Sequence, residues 1–326
     1  MNSSVHKTVL LNETIEGLDL QNKSAVLDAT FGGGGHSREI LERYPNVKII
    51  ALDQDKNVWE QAEGKFKGFE KRIFFKNMNF RDLDKIHQKE NSKDFCAFAL
   101  GVKKAGDPRR FKSFNFLFDA IIFDLGLSSD QLENSGRGFS FMKDEPLLMT
   151  MKENPLPEDL TAEEIVNNWS EKSLADIIYG YGEERFSRKI AKGIVEARKE
   201  RKIKTTGELV KVIENSMPET YRRGRLPKKI HCATKTFQAL RIAVNDELGA
   251  LQAGLQEGFK ILKKEGRMSV ISFHSLEDRI VKRFFKEKER TGEARLINKK
   301  PITASKGEIG SNPRSRSAKL RILSRL

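Results

Sequence analysis

Short apolar runs alternate with stretches of helical periodicity through the first part of the chain. Four runs have the length and apolar content of buried strands: 25–28, 47–53, 72–76 and 118–123. Helical spacing predicts helices at 37–43, 56–66 and 81–88. Because alternating strands and helices are typical of a parallel sheet covered by helices, the sequence predicts an α/β fold. Residues 89–116 break the pattern and are interpreted as a partly ordered insertion.

Between residues 133 and 235 the strand-like runs stop and helical spacing takes over. Thr161, with Glu164 three residues later, has the form of a capping box. Further helices are predicted at 173–179, 183–199 and 206–216. The α/β pattern then returns with helices at 236–244, 245–264 and 276–288, a strand at 267–273 and an edge strand at 320–323. We therefore expect an α/β domain made of 1–132 and 236–326, with an all-helical domain, 133–235, inserted into it.

A run of four glycines, Gly32–Gly35, lies between the first strand and the first helix. The strands on either side end in acids, Asp28 and Asp53, and the second acid follows the glycines at about the 20 positions expected of a ribose-binding acid. This order is typical of nucleotide sites. The glycine spacing is not G-x-G-x-x-G, and Asp28 would repel a pyrophosphate but suit a cationic methionine end. The pattern favours S-adenosylmethionine over NAD.

Ligands of open α/β sheets bind at the carboxyl ends of the strands. Asp124 ends the fourth strand, where transfer of a methyl group to an amine needs a group that accepts an N–H hydrogen bond. The chain has no Asp/Asn-Pro-Pro-aromatic tetrad, so a nearby carbonyl or His274 stays open as the acceptor, and Asp124 could instead cap a helix. Phe80, after the third strand, is placed either to pack on an adenine ring or to join the core.

The charge of the chain is uneven. Its 326 residues carry a net charge of +14, with 15 Lys/Arg against 4 Asp/Glu in 279–326 and 15 against 5 in 185–229. Two basic segments beside an acidic remainder point to a polyanionic partner, and nucleic acid is the first choice. The chain has two cysteines and no metal-binding Cys/His spacing, no apolar run long enough for a membrane span and no signal-peptide pattern. We expect a cytoplasmic protein that binds no metal and no membrane.

Three further segments carry candidates for contact with nucleic acid. Arg137, Phe139 and Phe141 pair a cation with aromatic rings that could stack on a flipped base, although a glycine turn before core aromatics is equally compatible. Lys235 lies at the start of a predicted helix, and Arg314 and Arg316 belong to a short basic element suited to phosphate contact.

Eight motifs occur along the chain in the order of one family: HKTVLLNET, DATFGGGGHS, DLGLSSDQL, RGFSF, YGEERFSRKIA, TKTFQALRIAVNDEL, VISFHSLEDRIVK and NPRSRSAKLR. In these motifs the chain resembles the bacterial 16S ribosomal RNA cytosine-N4 methyltransferases. The resemblance implies a class I methyltransferase (Rossmann-like) fold with an inserted substrate-recognition domain, S-adenosylmethionine as cofactor, and N4-methylation of a decoding-centre cytidine in the 16S RNA of the small subunit. It implies cofactor contacts at Gly34, Gly35, His36, Asp53, Phe80, Asp124 and Gln131.

The chain also departs from the pattern of that family. Gly33 stands where the family usually has Arg, and Leu148 and Thr150 replace an acid and an arginine. Cys232 and Lys235 replace a usual Pro and Arg. Two alternatives therefore stay open: a ribosome-assembly factor without catalysis, and a methyltransferase that acts on another nucleic acid such as DNA. A nicotinamide dehydrogenase is a more distant third. The sequence leaves the oligomeric state open, a homodimer included.

Overall fold

The structure is a computed structural model that describes residues 7–22, 24–55, 58, 62, 64–87, 117–127, 132, 135–152, 155–219 and 231–326. The predicted insertion at 89–116, most of the predicted helix at 56–66, and Gln131 lie outside these residues. The chain divides into two compact units. Unit 1 consists of Met1–Gly126 and Leu248–Leu326, and unit 2 of Leu127–Glu247.

Unit 1 is built on a seven-stranded sheet of strand order β3-β2-β1-β4-β5-β7-β6. The strands are β1 (Ala25–Asp28), β2 (Lys48–Asp53), β3 (Ile73–Asn77), β4 (Phe118–Asp124), β5 (Leu262–Ser272), β6 (Ala294–Leu296) and β7 (Lys319–Arg325). Strands β3, β2, β1, β4 and β5 are parallel to their neighbours, and β7 pairs antiparallel with β5 and β6. The predicted α/β class with a mostly parallel sheet is thus confirmed.

Two predictions about the second half of the sheet were wrong. The helix predicted at 245–264 ends at Lys260, because β5 already begins at Leu262, which pairs with Phe118. The next pair is Ala120 with Arg267, so the intervening residues of β5 form a bulge, in which Glu265 has a left-handed φ of 60°. The strand predicted at 320–323 is also not at the edge, since β6 covers it.

The described residues form these α-helices: α1 (Leu11–Leu18), α2 (Gly35–Arg43), α3 (Ala162–Asn168), α4 (Glu171–Gly180), α5 (Ser187–Glu200), α6 (Thr206–Ser216), α7 (Thr234–Asn245), α8 (Glu247–Lys260), α9 (Ser275–Arg290) and α10 (Lys306–Ser311). Two 3₁₀ helices span Phe80–His87 and Pro313–Ser317. None of the helices in the described part of the chain is long and apolar enough to cross a membrane.

Helices cover both faces of the unit 1 sheet. On one face, Leu255 of α8 and Phe285 of α9 join a core with Leu27 and Phe123 of the strands. A second core holds apolar residues of α1, α2 and the same strands, including Ile15, Ile40, Val26, Ile49 and Ile122. Because both faces are buried, the central strands are continuous apolar runs, which is the pattern the sequence displays.

The described secondary structure of unit 2 is helical, with α3 to α7 packed around one core. Thr161 accepts a hydrogen bond from the Glu164 N–H (3.1 Å), as the capping signal predicts. Helix α7 was predicted as part of the α/β domain. Its Phe237 and Leu240 instead pack in the core of unit 2, which therefore extends to Glu247.

Candidate active site

The acids that end the parallel strands of unit 1 lie along one edge of the sheet. Asp28 pairs in register with Ala51, two residues before Asp53, and Asp124 pairs with Ile271 of β5. Since these strands run in the same direction, their carboxyl ends meet at that edge. The acids that the sequence places at the strand ends therefore lie along the same edge of the sheet.

The glycine run forms the turn between β1 and α2. Gly32 and Gly34 have left-handed φ angles of 51° and 74°. A Cβ at Gly34 would lie 2.5 Å from the Phe31 ring and 2.9 Å from the Phe66 ring, so the turn leaves no room for a side chain there. Gly33 is not among the glycines of positive φ. Its position accepts an ordinary L-residue conformation, which agrees with the arginine that the related family usually carries there.

Asp53 fastens this turn to the second strand. Its Oδ2 accepts the Gly32 N–H at 2.8 Å, and its Oδ1 accepts the Asp55 N–H at 2.9 Å. Burial raises the pKa of Asp53 to about 6, although these hydrogen bonds lower it. Each carboxylate oxygen has lone pairs left for a second donor. Asp53 can therefore accept ligand hydroxyls while it holds the turn in place.

Asp28 is placed differently from what its sequence position suggested. It is 2% exposed, and its Oδ2 accepts the Ser37 hydroxyl at 2.6 Å, while Oδ1 accepts the Thr30 N–H at 3.3 Å. Burial raises its pKa to about 6. Asp28 thus anchors the turn and the first residues of α2.

Asp124 has an unsatisfied carboxyl oxygen. Oδ1 is buried and has no hydrogen-bond partner among the described residues, and Oδ2 lies 3.6 Å from Nδ1 of the buried His36. The Asp124 N–H donates to the Thr30 hydroxyl (2.6 Å). Burial, together with the charges of Asp28 and Glu277, raises the pKa of Asp124 to about 8. A buried acceptor without a partner is costly, so Asp124 is suited to a ligand that brings a donor or a positive charge.

His274, the second candidate for the acceptor, caps helix α9. Its Nδ1 accepts the Glu277 N–H at 3.4 Å, and Glu277 Oε2 accepts the N–H groups of Phe273 (2.8 Å) and His274 (3.2 Å), which completes a capping box. His274 Nε2 also lies 3.2 Å from Glu277 Oε1. These contacts give His274 a structural role, and its role as an acceptor stays a prediction.

Phe80 begins the 3₁₀ helix that follows β3. Its ring packs edge-on against Phe123, with centroids 5.6 Å apart and planes at 89°. Gly254 of α8 provides the space, because a Cβ there would lie 2.6 Å from the Phe80 ring. The ring is only half-buried. It belongs to the core at one face and is available to a flat ligand at the other, so both interpretations of Phe80 are compatible with its position.

These side chains fit S-adenosylmethionine. Three carboxyls of the edge, Asp28, Asp53 and Asp124, have pKa values raised by burial, and repulsion between carboxyls adds to the increase. Such a cluster is stabilised by a cation and destabilised by a phosphate anion. A sulfonium with an ammonium group supplies the cation, and Asp53 is placed to accept ribose hydroxyls. Three residues of this edge were not predicted from the sequence: Thr30 and Ser37, which hydrogen-bond to Asp28, and Glu277, which caps α9.

The predicted RNA-contact residues of unit 2 are largely engaged in the protein. Arg137 is 6% exposed, and its Nη1 donates to the carbonyls of Thr150 (3.3 Å) and Met151 (3.0 Å). Its guanidinium lies 5.4 Å from the centroid of the buried Phe139 ring. Phe141 packs on Phe237 with the ring centroids 5.0 Å apart. These contacts match the alternative of a glycine turn followed by core aromatics.

The remaining predicted contacts divide between the two units. Lys235 of unit 2 donates from Nζ to the Glu183 carbonyl at 2.8 Å. Arg314 and Arg316 of unit 1 are exposed on the 3₁₀ helix before β7. They are the predicted RNA residues most accessible to a phosphate.

The loop that contains Leu148 and Thr150, where the chain departs from the family pattern, is held through hydrogen bonds to its backbone. Met149 has a φ of 52°, and its carbonyl accepts from the Asn245 side chain at 2.8 Å. The Asn245 Oδ1 accepts the Met151 N–H at 2.8 Å. Thr150 is 4% exposed and Leu148 is half-buried. The loop is thus ordered without the acid and arginine that the family usually has at these two positions.

Comparison with known proteins shows the family of the chain. A model of the MraW methylase family matches residues 3–326. Ribosomal RNA small subunit methyltransferase H of Clostridium botulinum (strain 657 / Type Ba4) is 42% identical over 333 residues and covers 97% of each chain. The protein of that name from Synechococcus elongatus is 44% identical over 321 residues, which covers 98% of this chain and 95% of the relative. This chain therefore belongs to the MraW methylase family.

Proposed function

We propose that the protein transfers the methyl group of S-adenosylmethionine to the N4 amine of a cytidine in the decoding centre of 16S ribosomal RNA. The observation that carries the proposal is the full-length similarity to relatives named ribosomal RNA small subunit methyltransferase H. The acidic edge of the unit 1 sheet supports it, since the edge suits a cationic ligand with ribose hydroxyls. The substrate is then the small ribosomal subunit, and the protein works in the cytoplasm.

Each acid of the edge has its own part in this function. S-adenosylmethionine, when bound, would supply an electrophilic methyl group on a sulfonium, and its charge would favour the ionised form of nearby carboxyls. Asp53 accepts the ribose hydroxyls and keeps the glycine turn closed through Gly32. Asp28 holds the start of α2 through Ser37. The cofactor set expected from the motifs, Gly34, Gly35, His36, Asp53, Phe80, Asp124 and Gln131, remains part of the proposal.

Asp124 is the group proposed to orient the target amine. The lone pair of a cytidine amine is delocalised into the ring, so the site must hold it in line with the methyl group and accept an N–H hydrogen bond. Oδ1 of Asp124 is buried without a partner among the described residues and can take that bond. Its ionised form is the better acceptor. A pKa raised to about 8 by burial also lets the carboxyl take up the amine proton after transfer.

A basic row on α9 is proposed to contact the phosphates of the RNA. Lys282, Arg283 and Lys286 are exposed, and within the described residues none of them forms an ion pair. Helix α9 begins at Ser275, just after β5 of the acidic edge ends at Ser272. Phosphate contacts of this kind fix the position of RNA without reading its sequence. The row lies in the C-terminal basic segment, together with Arg314 and Arg316.

A substrate panel tests the proposal. The protein is incubated with methyl-labelled S-adenosylmethionine and, separately, small ribosomal subunits that lack the modification, protein-free 16S RNA and duplex DNA. We expect label in the RNA of the subunits. Label only in DNA would indicate a different nucleic-acid substrate. Tight binding to subunits without transfer, by a folded and cofactor-bound protein, would indicate an assembly factor and contradict the proposal.

A further inference from the structure

Three metal-ligating side chains meet in unit 2. Glu214 lies on α6, and His231 and Cys232 lie just before α7. One ligand atom of each, a carboxylate oxygen, an imidazole nitrogen and the Cys232 sulfur, lies within 4.8 Å of the other two. Glu214 and His231 are far apart in sequence, so no spacing of the chain reveals this cluster. The fold creates it.

The three side chains are held in different ways. Cys232 is a free thiol and 9% exposed. His231 is exposed, and its Nε2 lies 3.6 Å from Oε1 of the half-buried Glu214. The His231 ring is set by Phe141, with centroids 4.8 Å apart and an interplanar angle of 31°. The sulfur therefore lies in the buried wall of the cluster, while the other two ligands are more exposed.

A buried carboxylate adds negative charge to the cluster. Glu184 is fully buried, and its Oε2 has no hydrogen-bond partner among the described residues, while Oε1 accepts the Phe186 N–H at 2.9 Å. Burial raises the pKa of the Cys232 thiol, and Glu214 and Glu184 raise it further by their charges. The two carboxylates disfavour the thiolate form of Cys232, and a bound cation would reverse that effect.

We propose that Glu214, His231 and Cys232 bind a divalent transition-metal ion of the zinc type. Thiolate, imidazole and carboxylate together are the ligand set of zinc, whereas magnesium and calcium prefer oxygen ligands alone. With three protein ligands, the fourth position of a tetrahedral ion is left for water. These three residues belong to unit 2, whereas the acids of the proposed methyl-transfer site belong to unit 1. It replaces the expectation from sequence spacing that the chain binds no metal.

The Cys232 thiol, on which the three-ligand site depends, distinguishes this chain from the family pattern. The family that the motifs resemble usually has proline at position 232, and proline has no group that can bind a metal. Cys232 therefore converts an ordinary His–Glu contact into a three-ligand set. Cys232→Pro is therefore the matched variant, because it restores the residue that the family usually has at this position.

Binding requires a small contraction and the loss of one proton. Ligand atoms of a tetrahedral zinc ion lie about 3.5 Å apart, so the cluster must close by roughly 1 Å. The Cys232 thiol releases its proton to solvent as the sulfur–metal bond forms. Binding through His231 Nε2 also places the ring proton on Nδ1, which now accepts the Ala233 N–H at 3.2 Å. Metal binding therefore breaks that hydrogen bond. The tautomer of the His231 ring shows whether the metal is bound.

Metal titration of the full-length protein tests the proposal. The wild-type protein, freed of metal with a chelator, is titrated with Zn²⁺ by calorimetry, and with Co²⁺ to detect the absorption of a thiolate–cobalt bond. We expect one equivalent of Zn²⁺ per chain and a cobalt–thiolate band. Cys232→Ser and Cys232→Pro should each weaken Zn²⁺ binding by about 100-fold or more, since loss of even an indirect ligand contact costs 10- to 100-fold.

Cys96→Ser is the matched control, because it removes the only other cysteine of the chain. It should leave the stoichiometry and the cobalt band unchanged. Glu214→Gln is a second variant in a half-buried position, so the test stands even if a Cys232 variant fails to fold by circular dichroism. Absence of stoichiometric Zn²⁺ binding would overturn the proposal. So would binding that survives in the Cys232 and Glu214 variants, or binding that disappears in Cys96→Ser.

Discussion

The backbone N–H of Gly32 donates to Oδ2 of Asp53 at a distance of 2.8 Å. This bond connects the turn after the first strand to the acid at the end of the second. Both features were visible in the sequence as separate signals of a nucleotide site. The structure shows that they form one unit, in which the acid positions the turn and keeps lone pairs for a ligand.

Replacing Asp53 should weaken cofactor binding in two ways. Asp53→Ala removes the acceptor for ribose hydroxyls and releases Gly32, so we expect the Kd for S-adenosylmethionine to rise about 100-fold, as for the loss of two hydrogen bonds to a charged group. Asp53→Asn keeps one acceptor oxygen and should lose less affinity for S-adenosylmethionine. Calorimetry measures both. Asp19→Ala is the control, since Asp19 is exposed and paired with Arg267. Equal affinity of Asp53→Ala and the wild type would remove the ribose assignment.

Two neighbouring glycines should respond differently to alanine. Gly34 has a φ of 74°, and a Cβ would lie 2.5 Å from Phe31, so Gly34→Ala should reduce the free energy of unfolding by about 1–2 kcal/mol or more and weaken cofactor binding. Gly33 is not among the positive-φ glycines, and Gly33→Ala should be nearly neutral. Denaturant unfolding compares the two. The expectation fails if both variants lose the same stability.

His274 variants separate the cap of α9 from catalysis. His274→Ala removes the capping acceptor and should cost about 0.5–2 kcal/mol of stability. His274→Asn keeps a capping oxygen and should retain both the stability and the single-turnover rate. If His274 accepted the amine proton, either change should lower the single-turnover rate by about 100-fold or more. A large loss of rate in a stable His274→Asn protein would therefore return His274 to the catalytic set.

The raised pKa of Asp124 predicts how stability depends on pH in the cofactor-free protein. Burial raises this pKa from 3.8 to about 8, so the folded state keeps a proton that the unfolded state releases. The free energy of unfolding should then fall as pH rises from about 4 to about 8. Asp124→Asn cannot ionise, so it should gain stability over the wild type by about 2 kcal/mol or more between pH 5 and pH 8.5. A difference between the two proteins that stays constant with pH would contradict this.

The basic row on α9 predicts a change in the salt dependence of RNA binding. Removal of Lys282, Arg283 and Lys286 together should lower the slope of log affinity against log salt by about 2–3, since each phosphate contact contributes roughly 0.7–0.9. A control triple variant removes the same charge at residues that already pair with acids: Arg38, Lys85 and Arg290. Filter binding to small-subunit RNA measures both slopes. Equal slopes for the two triple variants would remove the row from the RNA surface.

Local signals in the sequence were sufficient for the elements that position the site. Strand β1 and helix α6 have the predicted bounds, because an apolar run ending in acid and a Thr-capped helix are both local patterns. The β5 bulge was missed, since its Lys263–Gly266 segment continues the helical pattern of α8. Its strand conformation depends on pairing with β4, a contact between distant parts of the chain.

The contacts that support the site residues could not be predicted from the sequence alone. The bond from Ser37 to Asp28 and the unsatisfied oxygen of Asp124 depend on how a turn closes over buried acids. The same limit applies to Glu214 and His231, which only the folded chain brings together. Residue types at strand ends predict where chemistry occurs, whereas hydrogen-bond partners and charge compensation follow from the fold.

The account is tested most directly by mass spectrometry of nucleosides from small-subunit RNA after a single-turnover reaction with isotopically labelled S-adenosylmethionine. The wild-type protein should place the label in N4-methylcytidine. At saturating cofactor, Asp124→Asn should do so about 100-fold more slowly, so that the loss of rate is measured apart from any loss of cofactor affinity. Label in any other nucleoside, or a rate that Asp124→Asn leaves unchanged, would contradict the account.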